Sequence, residues 1–344
     1  MLNTIKKWSQ WEFWPVWVFY IPLYVKYFWM SLKAGSLAFF TAANPLMKFG
    51  GFVDYSKYNV LKAINKKYLP VTAFFEKADA SIVLKKLEEL QLHFPIILKP
   101  DRGERGFGVE KIDTEKDLTQ YFEKYGELEA LILQEYIDFP VEVGVMYSRK
   151  ASEEKGKITS VVLKEFLTIT GNGKNTLEIL FHTDNRASFY VDTLLTTYKD
   201  ELQTILPNGK QKELVTIGNH CRGTTFLNAN HLINEQLHQV FDDISLPIKG
   251  FHFGRYDLRV PALQDLYKGE NIKIMELNGA ASEPAHIYDP TMPIIKAYKY
   301  LFAHWQRLYE ISIENHKNGK SYENSWQLYL AMRHNVKFKK EVNT

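Results

Sequence analysis

The 344-residue chain has one cysteine, Cys221. A single cysteine excludes an internal disulfide and fits a reducing, cytoplasmic compartment. His220 and Arg222 flank it, yet nothing else in the chain completes a nucleophile set, so a plain buried or loop cysteine is expected. Strong charge of either sign is also missing. The net charge is +3 and the basic residues are dispersed, which argues against a nucleic-acid partner. There is no internal repeat and no low-complexity tract, which excludes solenoids and linkers of biased composition. A membrane-spanning helix needs roughly 20 apolar residues. Within the first forty residues the longest charge-free run covers only residues 13–25 and is broken by Pro15 and Pro22. Lys6 and Lys7 imitate the start of a secretory signal, but the Trp- and Pro-rich continuation does not imitate the rest. What remains is an ordinary globular composition, 45% hydrophobic and 24% charged. The length allows one large domain or two to three small ones.

The first forty residues are unusually aromatic. Trp8, Trp11, Trp14, Trp17 and Trp29 occur there with Phe13, Phe19, Phe28, Tyr20, Tyr24 and Tyr27. Trp and Tyr suit a boundary where one end is apolar and the other wet. Lys6, Lys7, Lys26 and Lys33 would attract anionic lipid. Two readings stay open. The segment packs on its own domain or on a second copy, as a homodimer, or residues 1–40 make a peripheral contact with the inner face of a membrane.

Beyond Gly50-Gly51 the pattern changes. Helices are expected at 58–65, 81–90 and 115–125, from apolar spacing of three and four and a stop at Leu69-Pro70. Strands are expected at 95–98, 131–136, 141–147 and 158–166, with a hairpin turn at Lys155-Gly156. A helix opens at Thr176, and 194–214 reads as polar and helical with a break at Pro207-Asn208-Gly209. A helix over 233–244 precedes two strands, 251–260 and 271–277, paired around Lys268-Gly269. A long helix runs from Pro293 to about Asn315, followed by a polar, weakly basic tail. Hairpin-linked strands mixed with helices predict an α+β fold with antiparallel sheets, not a doubly wound sheet.

Three constellations carry chemistry. In Lys99-Pro100-Asp101-Arg102-Gly103-Glu104-Arg105-Gly106-Phe107-Gly108, an apolar strand delivers a lysine into a glycine-rich loop. Glycine lets backbone N–H groups turn toward an anion, and lysine adds a point charge for phosphate. The lysine precedes the glycines and no Gly-Lys-Ser/Thr follows, so this is not a Walker loop. Second, period-two alternation puts Arg255, Asp257 and Arg259 on one strand face, and Glu276 and Asn278 on one face of the next. Pairing those strands brings Asp257, Glu276 and Asn278 together, a hard-oxygen set suited to magnesium. Arg255 stands ready for a transferring phosphoryl group. Third, Leu133-Gln134-Glu135-Tyr136-Ile137 with Glu142 could hold adenine and ribose, although a plain buried strand explains it as well.

In this order the set resembles the ATP-grasp superfamily, closest to D-alanine–D-alanine ligases and similar carboxylate–amine ligases. The resemblance runs over roughly residues 55–310. It begins at Ser56-Lys57 and Tyr68-Leu69-Pro70, continues through Phe94-Pro95-Ile96-Ile97-Leu98-Lys99-Pro100, and closes on Arg255, Asp257, Glu276 and Asn278. Gly171 to Leu177 is similar to a segment of the cyanophycin-synthetase branch. The resemblance implies two α+β subdomains, 55–133 and 134–315, gripping ATP, with an aromatic segment 1–54 before them and a tail 316–344 after. It implies that ATP binds through Lys57, Lys99, Arg102, Gly103, Gly106, Gly108, Glu135, Ile137 and Glu142. Asp257, Glu276 and Asn278 would hold Mg2+, and Arg255 with Lys99 would serve phosphoryl transfer. The implied activity is carboxylate activation as an acylphosphate, followed by attack of an amine. An ATP-grasp kinase and a non-catalytic nucleotide-binding protein at a membrane surface are the alternatives. His220, Arg222, Gly279 and Ser282 are candidates for binding substrate. Two departures matter. The aromatic segment stands where these ligases carry an α/β domain, and their Asn-Thr-x-Pro-Gly loop is here Asn278-Gly279-Ala280-Ala281-Ser282-Glu283-Pro284. The substrate therefore does not carry over.

Overall fold

A computed structural model of the protein describes residues 10–103, 106–126, 128–215, 218 and 223–342. A helical turn at Val16–Phe19 leads into α1 (Ile21–Ala34), which ends on Gly35 in the left-handed conformation. Short 3-10 turns follow at Phe39–Ala43 and Lys48–Gly51. Helix α2 (Lys57–Lys62) is capped by the Ser56 hydroxyl, which accepts from Asn59 N–H, a typical N-terminal cap.

The first sheet contains β1 (Thr72–Ala78), β2 (Ile96–Pro100), β3 (Glu110–Ile112) and β4 (Leu128–Glu135), in the spatial order β1-β4-β2-β3. Every pairing is antiparallel. Helices α3 (Ala80–Leu90) and α4 (Glu115–Tyr125) cover one face, where Val83, Leu87, Leu118 and Tyr121 pack on Ile96, Leu98, Leu131 and Leu133. Strand alternation then sends Ile97, Lys99, Ile132 and Gln134 to the other face.

The second sheet contains β5 (Val141–Ser148), β6 (Lys157–Glu165), β9 (Thr225–Asn228), β10 (Phe253–Val260) and β11 (Lys273–Asn278), in the order β11-β10-β5-β6-β9, again antiparallel. Between β6 and β9 lie a ribbon of β7 (Thr168–Thr170) with β8 (Gln211–Glu213) and two helices, α5 (Leu177–Thr183) and α6 (Val191–Thr197). Val143, Val145, Tyr147, Tyr256, Leu258 and Ile274 form the core side of the second sheet. They pack under α7 (Glu235–Ser245) and α8 (Leu263–Lys268), and Leu61 from α2 joins them. The opposite face carries Glu142, Gly144 and Met146 on β5, with Arg255, Asp257 and Arg259 on β10.

The aromatic segment is built into the molecule. Phe39, Phe40, Ala43 and Phe49 share a buried cluster with Met146, Phe253, Leu308 and Ile311, and so cover the far end of that polar face. Helix α9 (Ile294–Lys317) supplies Leu308 and Ile311, and its Asn315 donates to the carbonyls of Ala42 and Ala43 at 3.0 and 3.1 Å. The last helix, α10 (Ser325–Val342), adds Leu328 to the same cluster.

The observed class is α+β, as the sequence predicts. Four local expectations differ. The first sheet continues through Glu135, past the division drawn at 133/134. Residues 194–214 hold only the end of α6 and the short β8. The β10–β11 connection carries α8. The polar tail, for which no element is expected, contains a helix, because Leu328 and Ala331 recur at the spacing that lets one helix face meet the aromatic cluster.

Candidate active site

The two sheets face one another across the polar residues, and the join is made by Lys99. Alternation on β2 points this lysine away from its own helices and toward β11. Its Nζ donates to Gln134 Oε1 and to the Met275 carbonyl, both at 2.9 Å. Lys99 is buried, and both of these partners are neutral. Burial pushes its pKa down to about 8. Glu276 and Asp101 oppose that shift, and Lys57 nearby adds to it. A buried cation without a carboxylate at bonding distance is costly, and an anion beside Lys99 would offset that cost.

Lys57 reaches the same place from α2. Its Nζ donates to the Gly103 carbonyl at 2.6 Å and lies 3.5 Å from the Pro100 carbonyl. Asp101 fixes the approach by accepting from Ser56 Oγ at 3.0 Å and from Tyr58 N–H at 2.8 Å, while its own carbonyl receives Lys57 N–H. The start of α2 is thereby fastened to the end of β2, and two lysines 42 positions apart in sequence become neighbours.

Across the groove, β10 and β11 pair as expected, with Asp257 opposite Glu276 and Arg255 opposite Asn278. Asn278 Nδ2 donates to Asp257 Oδ2 at 2.9 Å, and Tyr55 O–H donates to Asn278 Oδ1 at 3.2 Å. Arg255 contacts Asp257 through Nη2 at 3.0 Å and Nε at 3.2 Å. Lys164 on β6 sits between Glu142 and Asp257, 3.0 Å from each. Burial pushes the Asp257 carboxyl up, but Arg255 and Lys164 outweigh it and hold the group down at about 2. Burial likewise works against the Lys164 charge, and Asp257 and Glu142 raise its pKa regardless. Gly144 makes this convergence possible, because a Cβ there would come within 2.7 Å of Val162 and 3.3 Å of Asp257 Oδ1.

Lys57, Lys99, Arg255, Asp257, Glu276 and Asn278 thus lie around one groove. The remaining expected residues divide. Gly103 gives its carbonyl to Lys57 and has open space where a side chain would stand. Gly106 has a left-handed φ of 75°. Gly108, with φ 65°, lies against Pro100, and its carbonyl accepts Tyr121 O–H at 2.9 Å. Arg102 turns away to Asp54 at the surface. Glu135 accepts from Val71 N–H at 2.9 Å. The Ile137 carbonyl accepts from Arg259 Nη1 at 2.7 Å. Both Glu142 oxygens are engaged, one by Lys164 and the other by Arg259 Nε at 2.9 Å. Gly279 lies against Gly50 and Gly51, and Ser282 turns its hydroxyl back onto the Gly279 carbonyl at 2.6 Å. His220, Arg222 and Cys221 lie outside the described residues.

Sequence reasoning missed Lys164, Gln134, Asp101 and Glu283. Lys164 alone left a usable signal, as the cation on the site face of a strand read correctly. Glu283 follows the site loop. Its backbone carbonyl lies 3.4 Å from Arg255 Nη1 and its carboxylate accepts Tyr288 O–H at 2.8 Å. Burial pushes that carboxyl up to about 7 against the opposing effect of Tyr288, so it can exchange a proton near neutral pH.

No family model and no curated protein matches the chain. Solved structures do match. A D-alanine–D-alanine ligase from Bacillus anthracis aligns at TM-score 0.44 and 14% identity, over 77% of this chain and 69% of its own. The VanG D-Ala:D-Ser ligase of Enterococcus faecalis aligns at 0.40 and 14%, over 73% and 61%. A bifunctional glutathione synthetase of Pasteurella multocida aligns at 0.37 and 15%, over 72% and 36%. The chain spans less than two thirds of the length of the last two.

The donor set suits ATP with magnesium on its own chemistry. Lys57 and Lys99 offer cations, with no acidic hydrogen-bond partner on Lys99. Glu276 offers hard oxygens, and those of Asp257 and Asn278 are engaged by Arg255, Lys164 and Tyr55, contacts that a magnesium ion would replace. Among the described residues there is no group of three or more His, Cys, Asp or Glu side chains that could hold a metal by itself.

Proposed function

We propose that this protein is an ATP- and magnesium-dependent ligase that activates a substrate carboxylate for attack by an amine. One observation carries the reading: buried Lys99, bonded to neutral oxygens, stands beside Lys57 and next to the opposed Asp257–Glu276 pair with Arg255. Lys57 and Lys99 bind the phosphates. Asp257, Glu276 and Asn278 would hold magnesium, which supplies neutralisation of phosphate charge when bound. A carboxylate oxygen of the substrate attacks the γ-phosphorus. The new O–P bond forms as the bond to the β-phosphate oxygen breaks, and ADP leaves. Arg255 stabilises the charge on the transferring group. The amine then attacks the acyl carbon, the C–O bond to phosphate breaks, and phosphate departs. Glu283 can accept the proton that the amine loses. Positioning and charge neutralisation do the catalysis, so no Ser or Cys nucleophile is required.

A phosphate-release screen of paired acids and amines with ATP and magnesium tests this. A ligase releases phosphate when both partners are present. Phosphorylated product with a single partner and no amine would identify a kinase instead. Unchanged ATP–magnesium binding in Asp257→Ala and Glu276→Ala by calorimetry would remove the metal assignment.

A further inference from the structure

Helix α1 is apolar on two opposite sides. Leu23 and Met30 are buried against the body of the protein, in the clusters built with α9. On the other side Ile21, Val25, Phe28, Trp29 and Leu32 recur at spacings of three and four. Each is at least half exposed, reaching 82% at Leu32. Trp17, on the preceding turn, is 65% exposed. A helix that is apolar all round is one whose two sides are both covered, and a contiguous apolar patch of this kind marks an interaction surface. The spacing makes it one continuous stripe along a helix about 21 Å long.

The charge pattern selects the occupant. From Phe13 to Gly35 the sequence holds no Asp or Glu, and its two charges are Lys26 and Lys33. Lys26 is turned inward, donating to the Phe302 carbonyl at 2.9 Å. Lys33 is exposed, with its ammonium 3.6 Å from the centre of the Trp29 ring. A second copy meeting this face with its own α1 would offer Lys33 no carboxylate. An anionic surface supplies the missing charge, and the paired Trp and Lys suit the boundary between acyl chains and headgroups. Helix α10 repeats the pattern from the same cluster. Trp326, Tyr329 and Leu330 are exposed beside Arg333, and residues 325–334 contain no acid. No helix of the described residues is long and apolar enough to cross a membrane, so contact in the plane of the surface is the geometry left to them.

We propose that the outer face of α1 seats this protein on the headgroup layer of an anionic lipid surface. The proposal is independent of the ligase reading, because none of these residues lines the groove. The test is flotation of the full chain with vesicles of phosphatidylcholine alone or with about one third phosphatidylglycerol. The expected result is binding to the anionic vesicles, with a blue shift in Trp emission and weakening as salt rises. Val25→Glu with Leu32→Glu should lower partitioning at least ~10-fold, by taking charge into the apolar layer. Its circular dichroism and ATP affinity should be unchanged, because both side chains already face solvent. Three results would overturn the proposal: no binding of the wild type to anionic vesicles, equal binding by the variant, or a dimer that the variant dissolves while vesicles stay empty.

Discussion

Lys99 and Glu283 set opposite limits on the pH at which the site can work. Glu283 must be ionised to take a proton, so turnover should rise as pH climbs through about 7. Lys99 must be protonated to hold phosphate, so ATP affinity should fall as pH climbs past about 8. A bell-shaped pH–rate profile with those limbs is the expected outcome, and Glu283→Gln should flatten the acid limb while leaving the alkaline one. Phosphate would raise the Lys99 pKa, so ATP binding near pH 8.5 should take up a proton that Lys99→Gln does not. Calorimetry in buffers of differing ionisation enthalpy reads that proton directly. Removing the Lys99 charge should also lower kcat by roughly 10²–10³, the usual loss for one electrostatic stabiliser. The sequence made the charged groups legible because each sits in a short run whose neighbours are apolar, as Lys99 does after Ile96-Ile97-Leu98. It did not make Gln134 or Asp101 legible. Their roles depend on β4 lying beside β2 and on α2 starting at the end of β2, contacts that no local pattern encodes.

Two close approaches shape the site. One is on β5, whose Gly144 leaves room for the Asp257–Lys164 contact. Gly144→Ala should push Val162 or Asp257 aside, and overpacking of this kind costs about 1–3 kcal/mol. Chemical denaturation should detect the loss, with magnesium-dependent ATP binding weakened beyond it. The other is the touchdown of the Gly50-Gly51 turn on the site loop. The Ala280 N–H donates to the Gly50 carbonyl at 3.0 Å, and a Cβ on Gly279 would come within 2.6 Å of that carbonyl and 2.7 Å of the Gly51 Cα. Gly279→Ala should therefore lower the melting temperature and disturb Asn278, one residue away. The strands and their pairing were readable from alternation, as in Arg255-Tyr256-Asp257-Leu258-Arg259. Helices α1 and α10 were not, because their apolar residues face both inward and outward and the single-stripe pattern is lost.

At the scale of the whole molecule, the aromatic segment and the two sheets form one body. Asn44 shows how they are tied. Its amide nitrogen donates to the carbonyls of Gly50 and Phe253 at 2.9 and 2.8 Å, and its oxygen accepts from His252 and Phe253 N–H, both at 2.9 Å. This buried side chain joins the segment to the first residue of β10. Asn44→Ala would take this partner from the Phe253 carbonyl and from the His252 and Phe253 N–H groups, while the Gly50 carbonyl keeps the Ala280 N–H, and a loss of about 3 kcal/mol or more follows at 1–3 kcal/mol for each unsatisfied group. Urea titration followed by both Trp fluorescence and ATP binding should show the two signals falling together. Composition alone identified the segment as unusual but left open whether it packs on its own domain. That answer lies in Met146, Phe253, Leu308 and Ile311, more than ninety positions further along the chain.

The Asn315 side chain meets the carbonyls of Ala42 and Ala43 across 273 and 272 positions of sequence. The ribosome delivers these partners in order, at about 5–20 residues per second. Phe39, Phe40 and Phe49 therefore wait on the order of 15–50 s after they emerge before α9 arrives to enclose them. For that interval the nascent chain carries its most adhesive stretch uncovered, and the yield of folded protein depends on what shields it meanwhile.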